Sequence, residues 1–361
     1  MITVPRFALP LVLAVSMVFL ASQVTPALGD GAPVKESIIA QSDRTSQAKE
    51  APVASEEIAP EQFDGIPIVR IESTLDGTTQ PSLFWRPETA AAGEAGAPVP
   101  LLVALHSWGG TYKQTKADIV RECQERGWAF LQPDFRGPNV RPEACASDLA
   151  VQDVLDAVSY ARAHARIDAK RIYLIGGSGG GHMALVLAGR APGLWAGVSA
   201  WVPITDLAAW HRHCAQSKWR YDKMLDNVCG GPPGPPPADA EYRKRSPIFH
   251  LNRAAGLAIE ISAGILDGHE GSVPIDQTLK AFNVLAEANG RPDLKIPAED
   301  IEYMTAQAKI PPHMAEEREE EPGIQILFRR AAGPVRVTIF QGGHTIVGTA
   351  GIRWLAQQRK P

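Results

Sequence analysis

Nowhere in its 361 residues does the sequence concentrate positive charge: 36 Lys and Arg stand against 40 Asp and Glu, for a net charge of -4. No basic run is long enough to neutralise a line of phosphates, so nucleic acid is not an expected partner. The four cysteines include no Cys-x-x-Cys pair, which argues against a zinc site. The Gly-rich turn around Ser178 lacks the lysine of a phosphate-binding loop and the spaced glycines of a dinucleotide fingerprint. No segment repeats. Nor is the chain poor in apolar residues, since 45% hydrophobic against 21% charged is far from the composition of disorder. Its length fits one large α/β domain with extras, or two small domains.

The first 29 residues differ from the rest. Arg6 is their only charge, Phe7 to Ala21 is almost wholly apolar, and Ala27-Leu28-Gly29 supplies small residues for cleavage. That is the layout of a secretory signal peptide, and the apolar run is shorter than the roughly 20 residues a membrane span needs. Residues 1–29 are therefore expected to be removed on export, leaving a secreted or periplasmic protein with no stable membrane insertion. Residues 30–62, rich in Ala, Glu, Ser, Gln and Pro, read as a flexible linker ahead of a catalytic domain at 63–361. In an oxidising compartment Cys123, Cys145, Cys214 and Cys229 form two disulfides, with proximity favouring 123–145 and 214–229, or else remain buried thiols.

From Ile66 the pattern becomes strand and helix in alternation. An entry hairpin at Ile66–Ile71 and Ser82–Arg86 precedes strands at Leu101–Leu105, Trp128–Leu131, Arg171–Ile175, Trp195–Trp201, Leu257–Ser262 and Val335–Phe340. Helical spacing falls between them, notably after Ser147, which is placed to cap its helix. Continuous apolar runs such as Leu101–Leu105 suit strands buried on both faces. The expectation is an α/β protein with a mostly parallel eight-stranded sheet flanked by helices. Residues 203–256 interrupt the alternation after the sixth strand and read as a cap-like insertion carrying Trp210 and Trp219. The acidic run Glu316–Glu321 reads as a solvated face.

Gly176-Gly177-Ser178-Gly179-Gly180 fits G-x-S-x-G between an apolar strand and a helix. In that context it is the nucleophile elbow of the α/β-hydrolase fold, a sharp turn that exposes the serine hydroxyl. Such a serine needs a base, and the base an orienting acid, in the chain order Ser, acid, His. His344, in the Gly-bearing loop after the last strand, is the expected base; His250, His269 and His313 are worse placed. Asp267, after the penultimate strand, is the expected acid. Asp206 is the alternative, with helix capping as its other role, and Glu270 stands third. The oxyanion donors are expected to be the backbone N–H groups of Gly179 and, in the His106-Ser107-Trp108-Gly109-Gly110 loop, Trp108. His106 is expected to hold that loop in shape, and Arg136 to form a structural ion pair, with binding of a substrate carboxylate as its alternative role. No cofactor or metal is required by this chemistry.

The runs Asp168 to Gly181, Asp134-Phe135-Arg136-Gly137 and Gly264 to Gln277 resemble the catalytic domain of the prolyl oligopeptidase family; Gly264, Asp267, Val273 and Pro274 match its acid loop, with Asp267 and Val273 further apart than in the family pattern. The resemblance covers about residues 66–360 and implies Ser178, Asp267 and His344 as a triad. Large members carry a β-propeller before this domain, whereas here the linker leads straight into it. The resemblance is therefore to small secreted esterase-like members. It implies a small-molecule or oligosaccharide ester as substrate, with a short peptide as the alternative.

Overall fold

The computed structural model describes residues 61–93, 96–314 and 320–361. The expected signal peptide, nearly all of the expected linker and most of the Glu316–Glu321 run lie outside the described residues. The chain enters through β1 (Gln62–Phe63), β2 (Ile66–Glu72) and β3 (Thr79–Trp85). It continues as β4 (Val99–Leu105), α1 (Ala117–Glu125), β5 (Ala129–Pro133), α2 (Asp148–His164), β6 (Ile167–Gly177), α3 (Gly179–Arg190) and β7 (Gly197–Trp201). The insertion forms three short helices, α4 (Leu207–Gln216), α5 (Tyr221–Cys229) and α6 (Ala238–Arg245), before β8 (Ile259–Gly264). Then come α7 (Asp276–Ala288), α8 (Ala298–Gln307), β9 (Glu320–Glu321), β10 (Ile324–Ala332), β11 (Val335–Phe340) and α9 (Gly348–Leu355).

All strands join one sheet in the order β1-β2-β3-β5-β4-β6-β7-β8-β11-β10-β9. The run β5-β4-β6-β7-β8-β11 is parallel, and the strands outside it pair antiparallel. Among the described residues the sheet thus has eleven strands where eight were expected. The eight are present, and β1, β9 and β10 extend its two edges. The main omission, β10, alternates Ile324, Ile326 and Phe328 inward against Gln325 outward. It folds back onto β11 through a turn at Gly333, whose φ of +64° suits glycine.

The parallel strands are apolar on both faces because helices cover both. Along β4, Leu101, Val103 and Leu105 join the core beneath α2 and α3, and Leu102 and Ala104 join the one beneath α1 and α9. Tyr173 and Ile175 of β6 likewise face Ile119 and Ile352, opposite Ile172 and Leu174. Helix starts follow the sequence signals. Ser147 Oγ accepts from Ala150 N at 3.0 Å at the head of α2, and Asp206 Oδ1 from Ala209 N at 3.0 Å at the head of α4.

Neither expected cysteine pair is bonded, and all four side chains are buried free thiols. Cys123, on the buried face of α1, packs against the sheet, whereas Cys145, Cys214 and Cys229 share the apolar cluster under the insertion, so Cys123 and Cys145 belong to separate packing clusters. Burial pushes the Cys214 and Cys229 thiols up to about 12.

Arg136 forms the structural ion pair read from the sequence. Its guanidinium bonds Asp153 of α2 on one side and Asp76, in the β2–β3 turn, at 2.8 and 3.0 Å on the other. Asp153 has no exposed side-chain surface. Removing the cation strands a buried carboxylate, so Arg136→Met is expected to cost about 3–5 kcal/mol of stability. Urea unfolding checks this, and an unchanged midpoint contradicts the ion-pair role.

Candidate active site

Ser178 sits at the β6–α3 turn with φ 57° and ψ -120°, a backbone conformation that is costly for any residue but glycine. Such a turn lifts the side chain out of the sheet's top edge and requires close neighbours. At Gly179 an added Cβ would stand 2.4 Å from the backbone nitrogen of Trp108, so only glycine lets α3 approach the loop after β4 this closely. The N–H groups of Gly179 and Trp108 therefore lie side by side, and neither has an acceptor among the described residues. One donor stands at the N-terminus of α3 and the other in the loop after β4.

The loop holding Trp108 is fixed from several directions. Ser107 N donates to Gln114 Oε1 at 2.7 Å, and Gln114 Nε2 donates to Ser107 Oγ at 2.9 Å. His106 lies flat on Phe135 with ring centroids 3.8 Å apart and Nε2 2.7 Å from the Asp134 carbonyl. Burial pushes the His106 pKa down, favouring a neutral ring that donates one hydrogen bond and shapes the loop. Behind the loop, the Trp108 ring stacks edge-on against Trp210 at 4.8 Å, with His182 6.2 Å away.

At the other end of the site the structure brings Asp267 and His344 together. His344 Nδ1 donates to Asp267 Oδ2 at 2.8 Å. Asp267 Oδ1 accepts from Gly268 N at 3.0 Å and from Val273 N at 3.4 Å. Asp267 is 2% exposed, and burial pushes its carboxyl above the ordinary value, opposed by the bond from His344. Gly271 lies against this pair, where a Cβ would meet both Asp267 Oδ1 and the His344 Cβ. Of the remaining candidates, Glu270 lies against Gly343, where its Oε2 would stand 3.3 Å from an added Cβ, while the others are elsewhere. Asp206 caps α4. His313 pairs with Asp300, His269 meets the Thr305 carbonyl, and His250 meets that of Lys244.

Ser178, His344 and Trp108 line one cavity of about 320 Å³, together with Tyr221, Val202, Ile346, Gln132 and Lys116. The insertion contributes Tyr221 and is pinned to α7 and the loop before it by polar bonds. Trp210 Nε1 donates to the Ser272 carbonyl at 2.7 Å, and Gln277 Oε1 accepts from Thr205 and Asp206 N–H at 2.8 Å each. Trp210 is buried packing, whereas Trp219 is 40% exposed beside Tyr221. Sequence reading missed Gln114, Gly271, His182 and Lys116. Only His182, one helical turn after Ser178 in a Gly-rich run, carried a signal visible beforehand.

This strand order, with a strained serine after β6, an acid after β8 and a histidine after β11, defines an α/β-hydrolase. The prolyl oligopeptidase family profile matches residues 119–300. Acylamino-acid-releasing enzyme 1 of Oryza sativa subsp. japonica is 23% identical over 224 residues, covering 56% of this chain and 27% of its own. The fold resembles Pyrococcus horikoshii acylaminoacyl peptidase (17% identity, TM-score 0.54, 77% of this chain and 37% of that one). It also resembles a Mycobacterium tuberculosis puromycin-hydrolysing peptidase (19% identity, TM-score 0.53, 80% and 38%). The chain belongs to the prolyl oligopeptidase family. It spans about a quarter of the rice relative's length.

His182 provides a test of the site's packing. Its Nε2 bonds the Arg245 carbonyl at 2.8 Å, and burial holds its pKa down at about 4, against 6.5 ordinarily. Between these values the unfolded chain takes up a proton that the folded chain refuses. His182's share of stability is thus intact above pH about 6.5 and falls by roughly 3 kcal/mol as pH drops towards 4. Urea midpoints across that range should fall more steeply for the parent than for His182→Gln; equal slopes contradict the assignment.

Proposed function

We propose that this protein is an exported serine hydrolase that cleaves a carboxylic ester by acyl transfer. One observation carries the reading: the Asp267–His344 bond of 2.8 Å stands on the same cavity as the strained Ser178. His344 takes the Ser178 proton as the hydroxyl attacks the carbonyl. Asp267 holds the ring in the Nδ1–H tautomer and stabilises the imidazolium. The Gly179 and Trp108 N–H groups receive the oxyanion, a contribution of roughly 3 kcal/mol per donor to the barrier. His344 then protonates the leaving alcohol, and water cleaves the acyl-enzyme by the same steps in reverse.

The cavity supports a small acyl group. Apolar Ile119, Ile175, Val202 and Ile346 line much of it, and among the described residues no carboxylate lines it to hold a peptide's ammonium. Trp219 and Tyr221 beside its mouth offer ring faces to a sugar or aryl alcohol. Export rests on the apolar run at Phe7–Ala21. A second reading, amide cleavage of short peptides, is favoured by the family and by the names of the acylaminoacyl relatives.

Hydrolysis of p-nitrophenyl acetate and of a prolyl p-nitroanilide, side by side, separates the two. The ester is expected to turn over, with Ser178→Ala lowering kcat about 10⁴-fold or more. Comparable amide turnover returns the protein to the peptidases, and an unaffected Ser178→Ala removes the nucleophile. Asp267→Asn is expected to lower kcat by about 10⁴-fold. Asp206→Ala should instead cost about 1 kcal/mol of stability and leave the rate close to the parent's. The reverse pattern would make Asp206 the acid.

A further inference from the structure

Among the described residues, the cavity at Ser178 is lined by one side chain of fixed charge, Lys116, and by no aspartate or glutamate. Lys116 stands immediately before α1, exposed on the cavity rim. Among the described residues it forms no ion pair and no side-chain hydrogen bond. Its neighbours are otherwise engaged. Lys113 lies over the rings of Phe63 and Tyr112 at 5.6 and 5.5 Å, and the Asp118 carboxylate lies against Gly348 at the head of α9. Arg136, the site arginine with a family signature, is spent on Asp76 and Asp153. Arg212 and Arg220 of the insertion do not line the cavity.

An ammonium with no counter-ion, on a partly enclosed wall that is otherwise neutral or apolar, attracts an anion and repels a cation. We propose that Lys116 selects substrates that carry a carboxylate a few bonds from the scissile carbonyl. This rests on the ester-hydrolase reading above and narrows its substrate class to acidic esters. The gain acts on binding before and during acyl transfer, so it enters through KM and kcat/KM. Because the ammonium is solvent-facing, the preference is modest, roughly five- to tenfold, and weakens as salt screens it.

The test compares kcat/KM for p-nitrophenyl hydrogen succinate and glutarate with that for the neutral butyrate and valerate. 3-Acetoxybenzoate against phenyl acetate places the carboxylate on the alcohol instead. The parent enzyme is expected to favour the acidic member of at least one set. Lys116→Gln should bring that ratio to about one, chiefly through KM, and Lys116→Arg should keep it. A ratio near one in the parent for both sets, or a ratio that Lys116→Gln leaves unchanged, overturns the proposal. Succinyl- and acetyl-alanine p-nitroanilide put the same question if the enzyme cleaves amides. Failure of the ester reading therefore shows as absent ester turnover, and failure of the lysine as a flat ratio.

Discussion

The close approach of α3 to the loop after β4 is the constraint from which the rest of the site follows. A side chain at Gly179 would strike the Trp108 backbone, so glycine is required for the two N–H groups to stand side by side. The strained φ of 57° at Ser178 belongs to the same turn, and Ser178 lines one cavity with Trp108 and His344. Strain of this kind persists only where the surroundings over-determine it. Here β6 is hydrogen-bonded on both sides, to β4 and to β7, and α3 is buried along nearly its whole length.

Around that turn the polar groups act as locks. Ser107 and Gln114 exchange two hydrogen bonds across the loop, and the flat stack of His106 on Phe135 sets its far side. The insertion is held by Gln277 and Ser272, residues on and just before α7, and by Arg245, whose guanidinium bonds the Ala144 and Cys145 carbonyls. Trp210 therefore packs against Trp108 from an anchored helix. Deleting such a buried partner leaves a desolvated group unsatisfied, which costs more than the bond itself contributed.

Much of this was legible beforehand because the signals were local. The run Leu101–Leu105 reads as a doubly buried strand, and glycines around a serine between strand and helix read as an elbow. Ser147 and Asp206 sit where caps belong, and both bond as caps do. What escaped was set by distance along the chain. Gln114 matters because it folds back on Ser107, Gly271 because two loops converge on it, and Lys116 because its helix begins at a cavity formed by strands far away in sequence. β10 was missed because its apolar Ile324, Ile326 and Phe328 follow an acidic run and pair with nothing until β11 is in place. The 123–145 pairing suggested by proximity failed for the same reason, since Cys123 and Cys145 pack in different cores.

The central claim is that Ser178 is a nucleophile activated by His344. Labelling with a fluorophosphonate, read by peptide mass spectrometry, tests it most directly because no substrate need be known. The account predicts a single adduct on the peptide containing Ser178, formed at least a hundredfold more slowly in His344→Ala. An adduct on another serine, or labelling of Ser178 at an undiminished rate without His344, would contradict it.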